Sequence, residues 1–243
     1  MAMEELKAWL MKNADSISRV VDFNPAADRL YPFDFTSRNQ ELTDEILDDT
    51  FAFSAWAAHQ LYISGCRYGI GGYNEHRTIY NRSSHFDTDD EPRRLHLGVD
   101  IWGEAGTPVY NFYDASVHSF QNNDHFGDYG ATIILKYDLG GTLLHVLYGH
   151  LSHSSLHGLQ EGQLIPAGEQ FAFLGVPEEN GNWPPHLHIQ LIFDMQGKKG
   201  DYPGVCQFSK RALFLENCPD PELILRYTFG AALNKAEAAC LQK

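Results

Sequence analysis

Alternation with a period of two marks two stretches of the chain. In Leu95-His96-Leu97-Gly98-Val99-Asp100-Ile101 the odd positions are aliphatic and the even ones carry His96, Gly98 and Asp100. In His186-Leu187-His188-Ile189-Gln190-Leu191 the same rhythm sets His186, His188 and Gln190 opposite Leu187, Ile189 and Leu191. Successive side chains of an extended strand point to opposite faces, so each stretch predicts a strand with an aliphatic core face and a second face bearing two ligand-type groups. Further β-rich runs, TPVYNFYDASVHSF, ATIILKYDL, TLLHVLYGHL and EQFAFLG, are punctuated by glycine. Asp138-Leu139-Gly140-Gly141 predicts a hairpin turn, because paired glycines supply the positive φ angles that tight hairpins need. From Cys66 onward the pattern predicts an antiparallel β domain.

Elsewhere the period lengthens to that of a helix. Leu6, Trp9, Leu10, Ile17 and Val20 recur at helical spacing, and after a connection containing Pro25 and Pro32 the pattern resumes at Thr43. Leu42, Ile46, Leu47, Phe51, Phe53, Trp56, Ala57 and Leu61 predict one long or two broken helices, with Phe51, Phe53 and Trp56 in the core. Cys218-Pro219-Asp220-Pro221 interrupts the pattern, and a final helix is predicted from about Glu222. The expected fold class is therefore mainly β with α appendages. Its parts are a helical N-terminal segment at 1–65 packed on the core, a β domain at 66–217 and a helical tail at 218–243.

At 243 residues the chain is long enough to bury a substantial core without staples. Lys+Arg 18 against Asp+Glu 32 leaves a formal charge of −14. The basic pairs Arg93-Arg94 and Lys198-Lys199 are too short to form a patch against that background, so neither nucleic acid nor an anionic membrane surface is an expected partner. Charges at Glu4, Glu5, Lys7, Lys12 and Asp15 interrupt every apolar stretch of the amino terminus. There is no signal-peptide core and no apolar run of the roughly 20 residues that a spanning helix needs, which predicts a soluble, cytoplasmic protein. Cys66, Cys206, Cys218 and Cys240 have no C-x-x-C spacing and read as reduced, structural thiols.

Twelve histidines remain to be placed. Imidazole nitrogens with a carboxylate oxygen suit zinc, and a catalytic zinc site uses three protein ligands, with water in the fourth position. The two alternating strands offer His96, Asp100, His186 and His188, one group more than a zinc needs. A surplus imidazole is what a hydrolytic site requires as a non-ligand base. Spacing alone leaves satisfied surface histidines as an equal reading.

The segments HLGVDIWGEAGTPVYNF, DYGATIILKY, LYGHLS, EGQLIPAGEQFAFLG and PPHLHIQL, in that order over about residues 95–193, resemble the signature of the lysostaphin-type zinc endopeptidases, also called LytM-type or β-lytic metallopeptidases. The resemblance implies a groove across an antiparallel sheet, the duplicated hybrid motif, and one Zn²⁺ per chain. By matched position it implies His96, Asp100 and His188 as metal ligands, with His150 and His186 as the two non-ligand catalytic histidines. Pro184-Pro185 and Gln190 stand where the family usually has Gly-Pro and a glutamate, and Trp183 with Asn180 to Asn182 is expected at the groove rim. The run from GGYNEHRTIY to LENCPDPELIL resembles more closely the metallopeptidase-like domain found between a kinase-like domain and a class III aminotransferase in some fusion proteins.

The implied function is zinc-dependent hydrolysis of a peptide amide bond, as an endopeptidase on glycine-rich, D-amino-acid or peptidoglycan-derived peptides, with a peptide or muropeptide as substrate. The alternative is a non-hydrolytic or latent zinc-binding interaction module whose groove is covered, the residues ahead of the β domain folding over the metal. The remaining histidines have plainer readings. His153 and His157, spaced i, i+4 without the glutamate of H-E-x-x-H, belong to a loop. His145 faces away from His150, and His118 and His125 bond locally. Tyr73, Glu75 and Arg77 either line the groove or, as the favoured reading, supply a Glu-Arg pair tying the helical segment to the β domain.

Overall fold

The computed structural model describes residues 2–87 and 90–240, with side chains as far as Ala236. The described residues hold six helices: α1 (Ala2–Lys12), α2 (Asp44–Asp48), α3 (Thr50–Ser64), α4 (Arg211–Asn217), α5 (Glu222–Phe229) and α6 (Ala231–Cys240). The strands are β1 (Leu30–Phe33), β2 (Tyr68–Gly71), β3 (Leu95–His96), β4 (Val99–Trp102), β5 (Pro108–Tyr110), β6 (Ala115–Asn123), β7 (Gly130–Leu139), β8 (Thr142–Leu151), β9 (Leu164–Ile165), β10 (Gln170–Phe173), β11 (His186–Ile192) and β12 (Val205–Cys206). Eight of them form one sheet in the order β1-β2-β4-β11-β8-β7-β6-β9. The β7–β8 hairpin turns at Gly140 and Gly141, with φ of 69° and 92°.

The protein is mainly β with helical appendages, and the sheet is mixed. Its only parallel pair among the described residues is β1 with β2. Sequence reading placed no strand at residues 30–33, because Pro32 removes a backbone donor; β1 lies at the sheet edge, where that donor is not needed. Of the one long or two broken helices predicted over Leu42–Leu61 the structure has two, α2 and α3, and the tail helix divides at Gly230, whose φ is 55°.

Alternation places the two layers of side chains as expected. Val99, Ile101, Leu187, Ile189 and Leu191 enter the main core with Leu6 and Leu10 of α1 and Ile224, Leu225 and Phe229 of α5. On the opposite face a second cluster gathers Phe33, Phe35, Phe53, Tyr80, Phe86, Trp102 and Trp183. Phe53 is fully buried there, yet Phe51 is 82% exposed, contrary to the sequence expectation. Two residues apart on a helix are about 200° apart around its axis, so Phe51 and Phe53 cannot share a face. No helix among the described residues is long and apolar enough to cross a membrane. Cys66, Cys206 and Cys218 are free thiols.

Candidate metal centre and active site

The antiparallel register of β4 and β11 sets His188 opposite Asp100 and His186 opposite Trp102. The single strand expected over residues 95–101 is broken after His96, and β3 pairs with β12 instead of joining the large sheet. The break lies at Gly98, where a Cβ would stand 2.5 Å from His188 Cε1 and 2.8 Å from the Ile189 carbonyl oxygen. That close approach brings His96 over the ligand face.

His96, Asp100 and His188 converge, all buried. His96 Nε2 lies 3.0 Å from His188 Nδ1 and 3.3 Å from Asp100 Oδ1, and His188 Nδ1 lies 3.0 Å from the same oxygen. A tetrahedral zinc with ligands at about 2.0–2.1 Å separates its ligand atoms by about 3.3–3.4 Å, so the triangle is close to the size zinc requires. The tautomers point the same way. His96 Nδ1 donates to the Gly72 carbonyl at 2.9 Å. Gln190 donates its amide to the Pro203 carbonyl and thereby turns Oε1 toward His188 Nε2, at 3.1 Å. In the neutral rings these bonds leave His96 Nε2 and His188 Nδ1 as lone pairs, facing a carboxylate with no proton between them. Three acceptors so disposed repel one another unless a cation sits among them. Burial, reinforced by Arg77, holds His96 down to about 4, in its neutral form.

Asp100 has a second partner that sequence reading assigned elsewhere. The fully buried Arg77 donates from Nη1 to Asp100 Oδ2 and from Nε to Glu75 Oε2, the latter at 2.7 Å. The Glu75–Arg77 pair exists, but its cation reaches into the site. Burial opposes charge on Asp100, yet His96 and Arg77 outweigh it and hold the carboxyl well below its usual range.

His150 and His186 stand beside the triangle without completing it. His186 Nδ1 donates to the Pro184 carbonyl and His150 Nδ1 to the Asn180 carbonyl, each at 2.7 Å, which leaves Nε2 of both rings as the acceptor. His186 Nε2 is 3.9 Å from Asp100 Oδ1, and the ring centroids of His150 and His186 are 4.1 Å apart. Trp102 stacks on His186 at 4.1 Å and fixes its plane. Burial pushes His186 down to about 4 and His150 well below the ordinary imidazole value. His150 carries φ of +61°, a left-handed conformation that a residue with a Cβ seldom adopts and that often accompanies a functional side chain.

Some of the other candidates take different places from those expected. Trp183 and Asn180, expected at an open rim, are 3% and 0% exposed. Asn180 instead pins the loop, accepting from Trp183 N and donating to its carbonyl. His153 lies in a short 3₁₀ turn, 3.8 Å from Glu179, and His145 packs edge-on against His118. Tyr129, read from sequence as turn chemistry, donates to the Tyr202 carbonyl and places its ring 5.2 Å from that of His188.

The model of peptidase family M23 matches residues 94–201. The match covers 108 of the 243 residues and takes in all five site residues, His96, Asp100, His150, His186 and His188. M23 peptidases use zinc, and the His96–Asp100–His188 triangle of the matched segment suits it. Among solved structures, the catalytic domain of the antimicrobial peptidase lysostaphin from Staphylococcus simulans is 20% identical, with a TM-score of 0.40, over 66% of this chain and 96% of that one. A zinc-containing peptidase from Vibrio cholerae is 24% identical, with a TM-score of 0.33, over 40% of this chain and 27% of that one. Csd3 from Helicobacter pylori is 21% identical, with a TM-score of 0.33, over 62% of this chain and 36% of that one. The chain thus spans only about a quarter to a third of the length of the last two. No curated protein matches it.

Proposed function

We propose that the protein is a zinc-dependent hydrolase of peptide amide bonds, acting on glycine-rich, D-amino-acid or peptidoglycan-derived peptides. The observation that carries this reading is the pair of acceptor nitrogens, His150 Nε2 and His186 Nε2, beside a three-ligand triangle that no further His, Cys, Asp or Glu joins among the described residues. Bound zinc would supply Lewis acidity, lowering the pKa of a water and polarising the scissile carbonyl. His96, Asp100 and His188 hold the metal. One of His150 and His186 takes the proton of the attacking water through Nε2. Once protonated, that Nε2 becomes a donor and delivers the proton to the departing amine, while the charge developing on the carbonyl oxygen would be met by the metal. Carbonyl partners at both Nδ1 atoms keep Nε2 of each ring as the acceptor that proton transfer from water needs.

A second reading, a latent zinc module that binds without turnover, draws on the burial of all five groups. The residues over the site nonetheless add no His, Cys, Asp or Glu to the triangle among those described. The test is amine release by the zinc-loaded chain from oligoglycine, D-Ala-containing and muropeptide substrates, with Asp100→Ala beside it. Cleavage by the wild type alone is expected; equal activity in the variant would overturn the reading, and zinc-loaded silence would favour the latent one.

A further inference from the structure

The five site side chains line or adjoin a cavity of about 110 Å³. None is more than 6% exposed: His96 is 1%, Asp100 2%, His186 and His188 3%, and His150 6%. A site that cuts the interior of an extended peptide must be open on both sides of the scissile bond, because the chain continues in both directions. Here one side is walled off. Residues 79–86 cross the site face as a strap, where Tyr80, Phe86 and Trp183 form one aromatic wall with centroid separations of 4.5, 6.1 and 6.3 Å. Ser83 Oγ donates to the Phe126 carbonyl at 2.8 Å, and Gly127 N donates to the Gly181 carbonyl at 2.9 Å. The strap is thereby joined to the β6–β7 loop, and that loop to the segment leading into β11.

Arg82 locks the junction. Its guanidinium lies 4.9 Å from the Trp183 ring centroid, 5.0 Å from Phe126 and 5.6 Å from Phe53, and Nη2 donates to Thr50 Oγ1 at 2.8 Å. Its buried Nε and Nη1 have no hydrogen-bond partner, so the ring faces are what hold this cation. The polar lining residues that reach solvent, His85, Arg93, Asp128 and Asp201, mark the mouth. They carry both signs of charge, which leaves size as the selecting property. Ligand pockets for drug-sized molecules run to about 300–1,000 Å³, so this one seats roughly one residue-sized group beside a metal and its water.

We propose, resting on the hydrolytic reading above, that the substrate is a short peptide or small amide with one end enclosed in this blind pocket, and not the interior of a polymer strand. The test uses the zinc-loaded full chain and two measurements. The first is turnover of free dipeptides, of pentaglycine blocked at both ends and of cross-linked peptidoglycan. The second is quenching of tryptophan fluorescence, which Trp102 and Trp183 in the pocket wall report, by a phosphinic dipeptide analogue and by the same phosphinate embedded in a doubly blocked pentapeptide. Dipeptide turnover without polymer cleavage, and a dipeptide analogue binding at least about 100-fold more tightly, are expected. Equal binding of the two analogues, or binding of neither, overturns the proposal, as does cleavage of blocked pentaglycine at the dipeptide rate. If nothing is cleaved while the dipeptide analogue keeps its advantage, the hydrolytic reading fails and the size selection stands.

Discussion

Asp100 turns its two carboxylate oxygens to opposite partners: Oδ2 accepts from the buried Arg77, while Oδ1 faces His96 Nε2 and His188 Nδ1 at 3.3 and 3.0 Å. Without metal, Arg77 is the cation that neutralises the buried Asp100. Removing one member of a buried pair strands the other and costs about 3–5 kcal/mol. Arg77→Met is therefore expected to lower metal-free stability by that amount. Zinc takes over part of the neutralisation, so it should raise the melting temperature of the variant more than that of the wild type. Denaturation with chelator and with zinc measures both; an equal zinc effect in the two proteins would count against this division of the carboxylate.

His150 and His186 are not ligands in this account, so replacing either by alanine leaves the triangle intact. His150→Ala and His186→Ala should each retain one zinc and lose about 10²–10⁴-fold in kcat, the range for removal of a general acid or base. Metal analysis with kinetics on the same preparations separates this from a ligand role, which would lose the zinc as well.

Far from the site, His118 and His145 meet edge-on at 4.9 Å. Burial depresses both, with Lys199 adding to the effect on His118 and His118 adding to that on His145. A base with a depressed folded pKa binds protons more readily when unfolded. Stability from this pair is then full above the unfolded imidazole value of about 6.5 and is lost as pH falls from there through the folded values. His145→Gln should flatten that loss in urea melts at pH 7.5 and 5.5; an unchanged slope would place the acid sensitivity elsewhere.

What the sequence shows plainly is what depends on strand alternation. Val99 and Ile101 face one core while Asp100 faces the other side, because neighbouring residues of a strand cannot share a face. The same rule separates Leu187 and Ile189 from His186 and His188. What stays hidden depends on close approach between distant segments. Gly98 breaks the first ligand strand because the His188 ring lies against it, a contact across 90 residues. Arg77 precedes Asp100 by 23 residues with no periodicity connecting them, and its role follows from the strap crossing the site. Trp183 looks like an aromatic loop residue from sequence, yet Tyr80 and Phe86 of the strap pack on it in the pocket wall, and Asn180 is buried and bonded to Gly175, Trp183 and His150. A covered groove is one of the two sequence readings; which residues cover it, 79–86, no periodicity marks.

The central claim is that His96, Asp100 and His188 hold one zinc, and the most direct test is the metal content of purified wild type and Asp100→Ala after identical loading and dialysis. The account predicts one zinc per chain in the wild type and none in the folded variant. Full zinc in Asp100→Ala would contradict it.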